Sequence, residues 1–176
     1  GIIGHANMML GSSVKEVLEL HLEIGEGLFR GIRHAGGWDK DERVKNAHSH
    51  PTPYIYLEDT SQDGLRELSS LDMVFDTWHY HNQIKDLTKL AINIPELVII
   101  HDHFGGPLGI GPYIGKREEI FYQWKEDIYE LSRCKNVYAK LGLEYYPKLV
   151  ISSPFTPITG KRLLVKDRKD TEIKKV

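Results

Sequence analysis

The sequence predicts an α/β protein, a parallel sheet of about five strands with helices packed outside it. Three observations predict it. Strand-like apolar runs alternate with helix-like stretches about four times, at a pitch of roughly 30–40 residues, which is the pattern of repeated βα units. The 176 residues are 40% hydrophobic and 27% charged, enough apolar material for one core. Finally, the polar residues suited to chemistry gather where the strand-like runs end.

The first apolar run covers 2–6 and ends at Asn7. Ser12 or Ser13 then offers a cap for a helix carrying Val14, Val17, Leu18, Leu20 and Leu22, with Gly25 and Gly27 behind it. A second strand is read at 29–34, followed by a polar, proline-containing stretch from Trp38 to about Asp59. A connection of that length in a compact domain tends to be functional or disordered. Residues 65–71 form a short helix in this reading and 73–78 a third strand. Ile84, Leu87, Leu90 and Ala91 recur at helical spacing until Pro95 stops them, and 97–100 is a fourth strand. The Gly-Pro segment 105–115 is a rigid loop. The longest helix runs from about 117 to 133, with Ile120, Phe121, Trp124, Ile128 and Leu131 on one face, and 137–141 is a fifth strand. From about Glu144 the alternation stops, although 149–151 and 162–165 are strand-like. An open doubly wound sheet and part of a closed eight-stranded barrel both fit this order. A closed barrel takes ~250 residues.

A net charge of -2 gives no electrostatic case for nucleic acid, and the Lys and Arg residues after Gly160 are interrupted by acids, as in a solvated tail. No apolar run reaches the ~20 residues of a membrane helix. Cys134, the single cysteine, fits a packed thiol in a reducing, cytoplasmic setting. The glycines of 105–111 lack the Gly-Lys-Ser/Thr of a phosphate loop.

His34 follows the second strand, His79 and His81 the third, His101, Asp102 and His103 the fourth, and Lys140 closes the fifth. Because strand side chains alternate, His79 and His81 should share a direction, as should His101 and His103. Facing the interior, such pairs suit a divalent metal or proton transfer, and hydrogen-bonded structural histidines are the alternative. Asp102, between two inward histidines, should point outward. Arg33 at a strand end suits a substrate carboxylate held bidentately, or a salt bridge to Asp39 or another acid. Lys140 suits a carboxylate partner, structural or catalytic. His48 and His50, in the long polar loop, read as an exposed pair without a role.

Four stretches carry a more specific resemblance: 29–34 (FRGIRH), 75–83 (FDTWHYHNQ), 102–113 (DHFGGPLGIGPY) and 136–141 (NVYAKL). Together they resemble amidohydrolase-related TIM-barrel hydrolases of the amidohydrolase superfamily, a group that includes lactonases. The resemblance covers 1–143; 144–176 matches nothing in that pattern and is set apart as a divergent tail. It implies a partial (β/α)₈ barrel, strands two to six. It also implies hydrolysis of a carboxylate-bearing lactone or related carbonyl compound. On this mapping His103 is the catalytic strand-five histidine and a metal ligand where zinc or manganese is used. Arg33 holds the substrate carboxylate, Tyr80 and His81 line the pocket, and His34 lies at its rim. The family's first-strand His-x-His and last-strand aspartate have no counterpart here, and the chain opens directly on an apolar run. The expectation is therefore a piece of a longer enzyme. Competing readings are an inactive remnant that binds carboxylates or associates with another chain, including a copy of itself, and a decarboxylase-type member.

Overall fold

The computed structural model describes residues 1–140 and, beyond them, the backbone of the strand pair Leu163–Leu164 and Lys174–Lys175, which run antiparallel. The strand-like 149–151 and the boundary at 144 lie outside the described residues. Five strands, β1 (Ile2–Gly4), β2 (Phe29–Arg33), β3 (Val74–Thr77), β4 (Ile99–Asp102) and β5 (Val137–Lys140), form one parallel sheet in sequence order. Helices α1 (Val14–Ile24), α2 (Asp59–Ser70), α3 (Ile84–Asn93) and α4 (Arg117–Leu131) fill the connections.

Each helix buries one stripe. In α1, Val14 and Leu18 lie one turn apart and are fully buried, while Val17, Leu20 and Ile24 face out. The cap differs from the expected serine: Ser13 makes no side-chain cap bond, and Asn7 caps the preceding 3₁₀ turn by accepting from the Met9 N–H at 3.0 Å. In α3 the buried residues are Ile84, Leu87, Leu90 and Ala91, as their spacing predicts. In α4, Ile120 and Leu131 are buried and Trp124 and Ile128 pack beside them, but Phe121 stands at the surface.

Helix α2 begins six residues before the predicted 65, because its first turns bury Ser61, Gln62 and Gly64 rather than aliphatic residues. Gly64 is required there, since a Cβ would sit 2.4 Å from the Met8 carbonyl oxygen of the packed 3₁₀ turn. The core joins Val14, Leu18, Leu65, Leu68, Ile84, Leu87 and Leu90 of the helices to Ile32, Phe75 and Ile99 of the strands. Each such fully buried aliphatic or aromatic side chain contributes about 1.5–3 kcal/mol of transfer free energy.

Register decides which strand residues join that core. Phe75 pairs with Ile99 and Ile99 with Val137, and this row faces the helices. Thr77, His101 and Ala139, two residues further on, lie on the same face. The row Arg33, Asp76, Ile100, Tyr138 and the pair Asp102 and Lys140 project from the opposite face. That face is open, with Tyr138 57% exposed.

Candidate active site at the strand ends

On the open face, four charged side chains from four strands meet. Arg33 Nε lies 2.5 Å from Asp76 Oδ1, and Arg33 Nη2 lies 2.6 Å from Asp102 Oδ2. Lys140 Nζ lies 2.7 Å from Asp76 Oδ2 and 3.3 Å from Asp102 Oδ1. Both carboxylates are buried, at 1% and 0% side-chain exposure, while Arg33 and Lys140 keep 38% and 44%. The two acids titrate differently. Burial opposes the Asp76 charge, but hydrogen bonds led by that from Arg33 outweigh it and hold the carboxyl below its ordinary range. Burial, then the neighbouring Asp76, pushes Asp102 up. Asp102 thus sits between the two cations and the Asp76 carboxyl, with which it shares a hydrogen bond.

This arrangement reverses the expectation for β4. Asp102 points to the open face, and His101 points to the helices. Strand β4 ends at Asp102, and His103 does not continue it. His103 (φ 50°), Phe104 (φ 56°), Gly105 (φ 72°) and Gly106 (φ 46°) form a left-handed turn. For the two non-glycine residues that conformation costs ~1–2 kcal/mol each. The turn is clamped on two sides. Trp124 Nε1–H of α4 donates to the Phe104 carbonyl at 2.7 Å, and Gly106 lies so close to β3 that a Cβ would meet the His79 carbonyl oxygen at 2.8 Å. His103 is half-buried.

His79 and His101 meet on the helix-facing side, with ring centroids 5.1 Å apart. They are 1% and 2% exposed, and none of their four ring nitrogens has a hydrogen-bond partner. Burial, and for His79 also the neighbouring imidazole, lowers both pKa values, His101 to about 4. The rings are neutral.

A pocket of about 290 Å³ opens at the ends of β1 and β2, lined by Ile3, Gly4, His5, Arg33, Ala35 and His48. Backbone partners fix the tautomers of the histidines around it. His5 Nδ1 lies 3.0 Å from the Arg33 carbonyl oxygen, which can only accept, so Nδ1 carries the proton. His34 Nδ1 accepts from the Met8 N–H at 3.3 Å, so its proton sits on Nε2. His34 is 4% exposed, and burial, then His5 and His48, lower its pKa to about 4. Its ring meets that of His5 edge-on at 5.7 Å, and His48 lies 6.5 Å from His5.

Tyr80, His81 and His103 are not among the residues lining this pocket. Tyr80 and His81 instead anchor the long loop. The Tyr80 hydroxyl donates to the Lys45 carbonyl, and Tyr80 packs with Val44 and Leu108 in a second small core. His81 Nδ1 accepts from the Leu108 N–H at 3.3 Å, and burial lowers its pKa to about 4. Asp39, expected as a partner of Arg33, accepts instead from the Tyr113 hydroxyl at 2.6 Å and from Asn82 at 3.0 Å. Two residues line the pocket that were read without a role in the sequence: His5, inside the first apolar run, and His48, taken as half of an exposed pair. Asp76, also passed over, is the central acceptor of the charge cluster. Among the described residues no three His, Cys, Asp or Glu side chains converge as a metal site, and Asp102 beside His103 is tied to Arg33 and Lys140.

Comparison with known proteins shows the fold. Two crystal structures of an amidohydrolase from Burkholderia multivorans, one with bound zinc and one with bound HEPES, superpose with TM-scores of 0.59 and 0.57. Identities are 19% and 18%, and the matches cover 80% and 77% of this chain and 43% and 42% of those chains. The five-stranded parallel sheet is thus shared with part of a TIM-barrel protein, and the open face corresponds to the barrel interior. An uncharacterised protein of Sinorhizobium fredii (strain NBRC 101917 / NGR234), y4mH, is 25% identical over 142 residues, 81% of this chain and 43% of that protein. The chain thus spans less than half the length of these relatives. Residues 132–176 match the FemAB-like family, described as peptidoglycan biosynthesis/recognition. No described helix is long and apolar enough to cross a membrane.

Proposed function

We propose that the chain is part of an amidohydrolase-superfamily hydrolase that opens a lactone, or cleaves a related carbonyl compound, carrying a carboxylate. The observation that carries this reading is the position of Arg33. It ends β2 on the barrel-interior side and lines the pocket, and two buried carboxylates hold its guanidinium in place. Active sites of this fold lie at that end of the strands. A planar guanidinium held in place at the pocket wall meets an anion with little reorganisation. Arg33 then anchors the carboxylate and so orients the reacting carbonyl.

His34, neutral with its proton on Nε2, serves as a donor at the rim. Tyr80 and His81 act one layer further out, by fixing the loop that frames the site. His103, on its clamped turn, supplies a donor to the carbonyl oxygen. A divalent ion, where one is used, would take His103 as one ligand and further donors from beyond the described residues. It would polarise the carbonyl.

The test is hydrolysis of carboxylated lactones by the chain and by its Arg33→Gln and His103→Ala forms, with and without zinc or manganese. Turnover lost in both variants supports the reading, and turnover indifferent to both refutes it. One observation favours a second reading, an inactive remnant in which the cluster is structural. The two cations of the cluster are already balanced by two carboxylates, as in a purely structural network. A folded chain without turnover, in which Arg33→Gln lowers stability, would select it.

A further inference from the structure

We infer that His5 forms a hydroxyl-binding subsite beside Arg33, so that the ligand of this pocket carries a hydroxyl next to its carboxylate. The inference rests on the reading of Arg33 as the carboxylate anchor, and it names the substrate class of the proposed hydrolase more closely.

His5 directly follows β1, at the end of the sheet where Arg33 also emerges. Its Nδ1–H is donated to the Arg33 carbonyl oxygen at 3.0 Å. In a neutral ring this leaves Nε2 with a lone pair and no proton, which makes it an acceptor. The residue is held at its other end too. Its own carbonyl accepts from His21 Nε2–H at 3.1 Å, and the His21 ring stacks on Phe29 with centroids 4.7 Å apart. His5 is exposed and lines the pocket, and among the described residues nothing donates to its Nε2.

The rest of the lining narrows what this acceptor takes. Ile3, Gly4 and Ala35 bring no polar side chain, and Arg33 brings a cation. His48, exposed and 6.5 Å from His5, is the other imidazole of the wall. His34, edge-on to His5 at 5.7 Å, accepts the Met8 N–H at Nδ1 and is therefore a donor at Nε2. Among the described residues no carboxylate lines the pocket, and Asp76 is engaged by Arg33 and Lys140. A ligand ammonium beside His5 would therefore meet a guanidinium and no counter-charge. The donor that fits is neutral. A hydroxyl gives its one O–H to Nε2 and keeps its lone pairs for His48 or water. The ligand class is accordingly a carboxylate with a hydroxyl on the neighbouring carbon, the carboxylate on Arg33 and the hydroxyl on His5.

The experiment titrates three probes of matched size, lactate, propionate and alanine, into the full chain and into His5→Leu and His5→Gln. It is run at about pH 8, where an imidazole is neutral, with the Arg33 side-chain resonances reporting binding. Lactate should bind ~5-fold more tightly than propionate, and alanine no more tightly than propionate. His5→Leu should bring lactate down to the propionate level. His5→Gln, whose carboxamide oxygen accepts a hydrogen bond, should restore part of the preference. A merely structural role for His5 would lower all three affinities together and would overturn the inference. Nitrogen-15 spectra of ring-labelled chain read the tautomer directly: a proton on His5 Nδ1 supports the subsite and a proton on Nε2 overturns it. Equal affinities for lactate and propionate in the wild-type chain, a preference that survives His5→Leu, or alanine binding more tightly than lactate would each overturn it. Lactate selectivity in a chain that hydrolyses no carboxylated lactone overturns the hydrolase reading and leaves the subsite standing. A chain that binds none of the three probes overturns the anchor at Arg33 and the subsite with it.

Discussion

His101 and Asp102 are neighbours in sequence and opposites in structure. Asp102 stands on the interior face, where Arg33 and Lys140 from two other strands bring charge to it. His101 stands on the helix-facing side, packed against His79, with ring nitrogens that meet no partner. Both residues are polar and both are buried. The lesson is that polarity at the end of a barrel strand has no fixed meaning. On the interior face it assembles a network of ion pairs that holds the Arg33 guanidinium and the Lys140 ammonium in place. One residue away, it leaves uncharged rings whose desolvation opposes stability.

The largest expected effect comes from acid. His34, His81 and His101 titrate at about 4 in the folded chain, and burial beside His101 also holds His79 well below the ordinary range, against about 6.5 for an unfolded imidazole. Between those values the unfolded state binds more protons. The stability held by the neutral rings is therefore complete above about pH 6.5 and is lost as pH falls toward 4, by about 3 kcal/mol for His101 alone. Asp102, whose pKa is raised, acts in the opposite sense: its contribution declines as pH rises above the ordinary carboxylate range. Four rings against one carboxyl give a net loss in acid. Urea unfolding from pH 7 to 4 should show it, and His101→Phe should flatten the slope while leaving stability at pH 7 equal or higher. An unchanged slope would mean that the rings have partners after all.

Asp76→Ala comes next. It strands Arg33 and Lys140 beside Asp102, and should cost about 3 kcal/mol at pH 7 in the same unfolding assay. A loss below about 0.5 kcal/mol would erase the contrast between the two faces. Gly106→Ala probes the turn that joins them. The left-handed φ and the contact with the His79 carbonyl should together cost about 2 kcal/mol of stability. Trp124→Phe, which keeps the ring contacts with Phe104 and Phe121, should cost about 1 kcal/mol through the lost Nε1–H bond. It should also shift the Phe104 and Gly105 amide resonances while leaving those of β1 in place.

Much of the fold was legible, and specific physical reasons hid the rest. The five strands, their parallel order and the helices α3 and α4 follow from spacing that the structure reproduces. The face of β4 was not legible. Leu97, Val98, Ile99 and Ile100 are all apolar, as in a strand covered on both sides, so nothing in the run marks which parity faces the helices. Extending the strand through His103 then placed His101 and His103 together and turned Asp102 outward. The left-handed turn breaks that alternation at His103. The first half of α2 was hidden because it buries serine, glutamine and glycine, which carry no apolar signal. His5, inside the first apolar run, and His48, read with His50 as an exposed pair without a role, carry no spacing signal that links them, and only the folded chain brings them beside Arg33.

The most direct test of the account is the selectivity of Arg33. Hydrolysis of a carboxylated lactone and of its neutral methyl ester should be compared in the wild-type chain and in Arg33→Gln, with circular dichroism verifying the fold. The account predicts that the wild-type chain prefers the carboxylated substrate. Arg33→Gln should remove ~10–100-fold of that preference while the ester rate changes only a few-fold. A preference that survives the substitution, or rates that fall equally for both substrates, would contradict the assignment of this pocket as a carboxylate-directed hydrolase site.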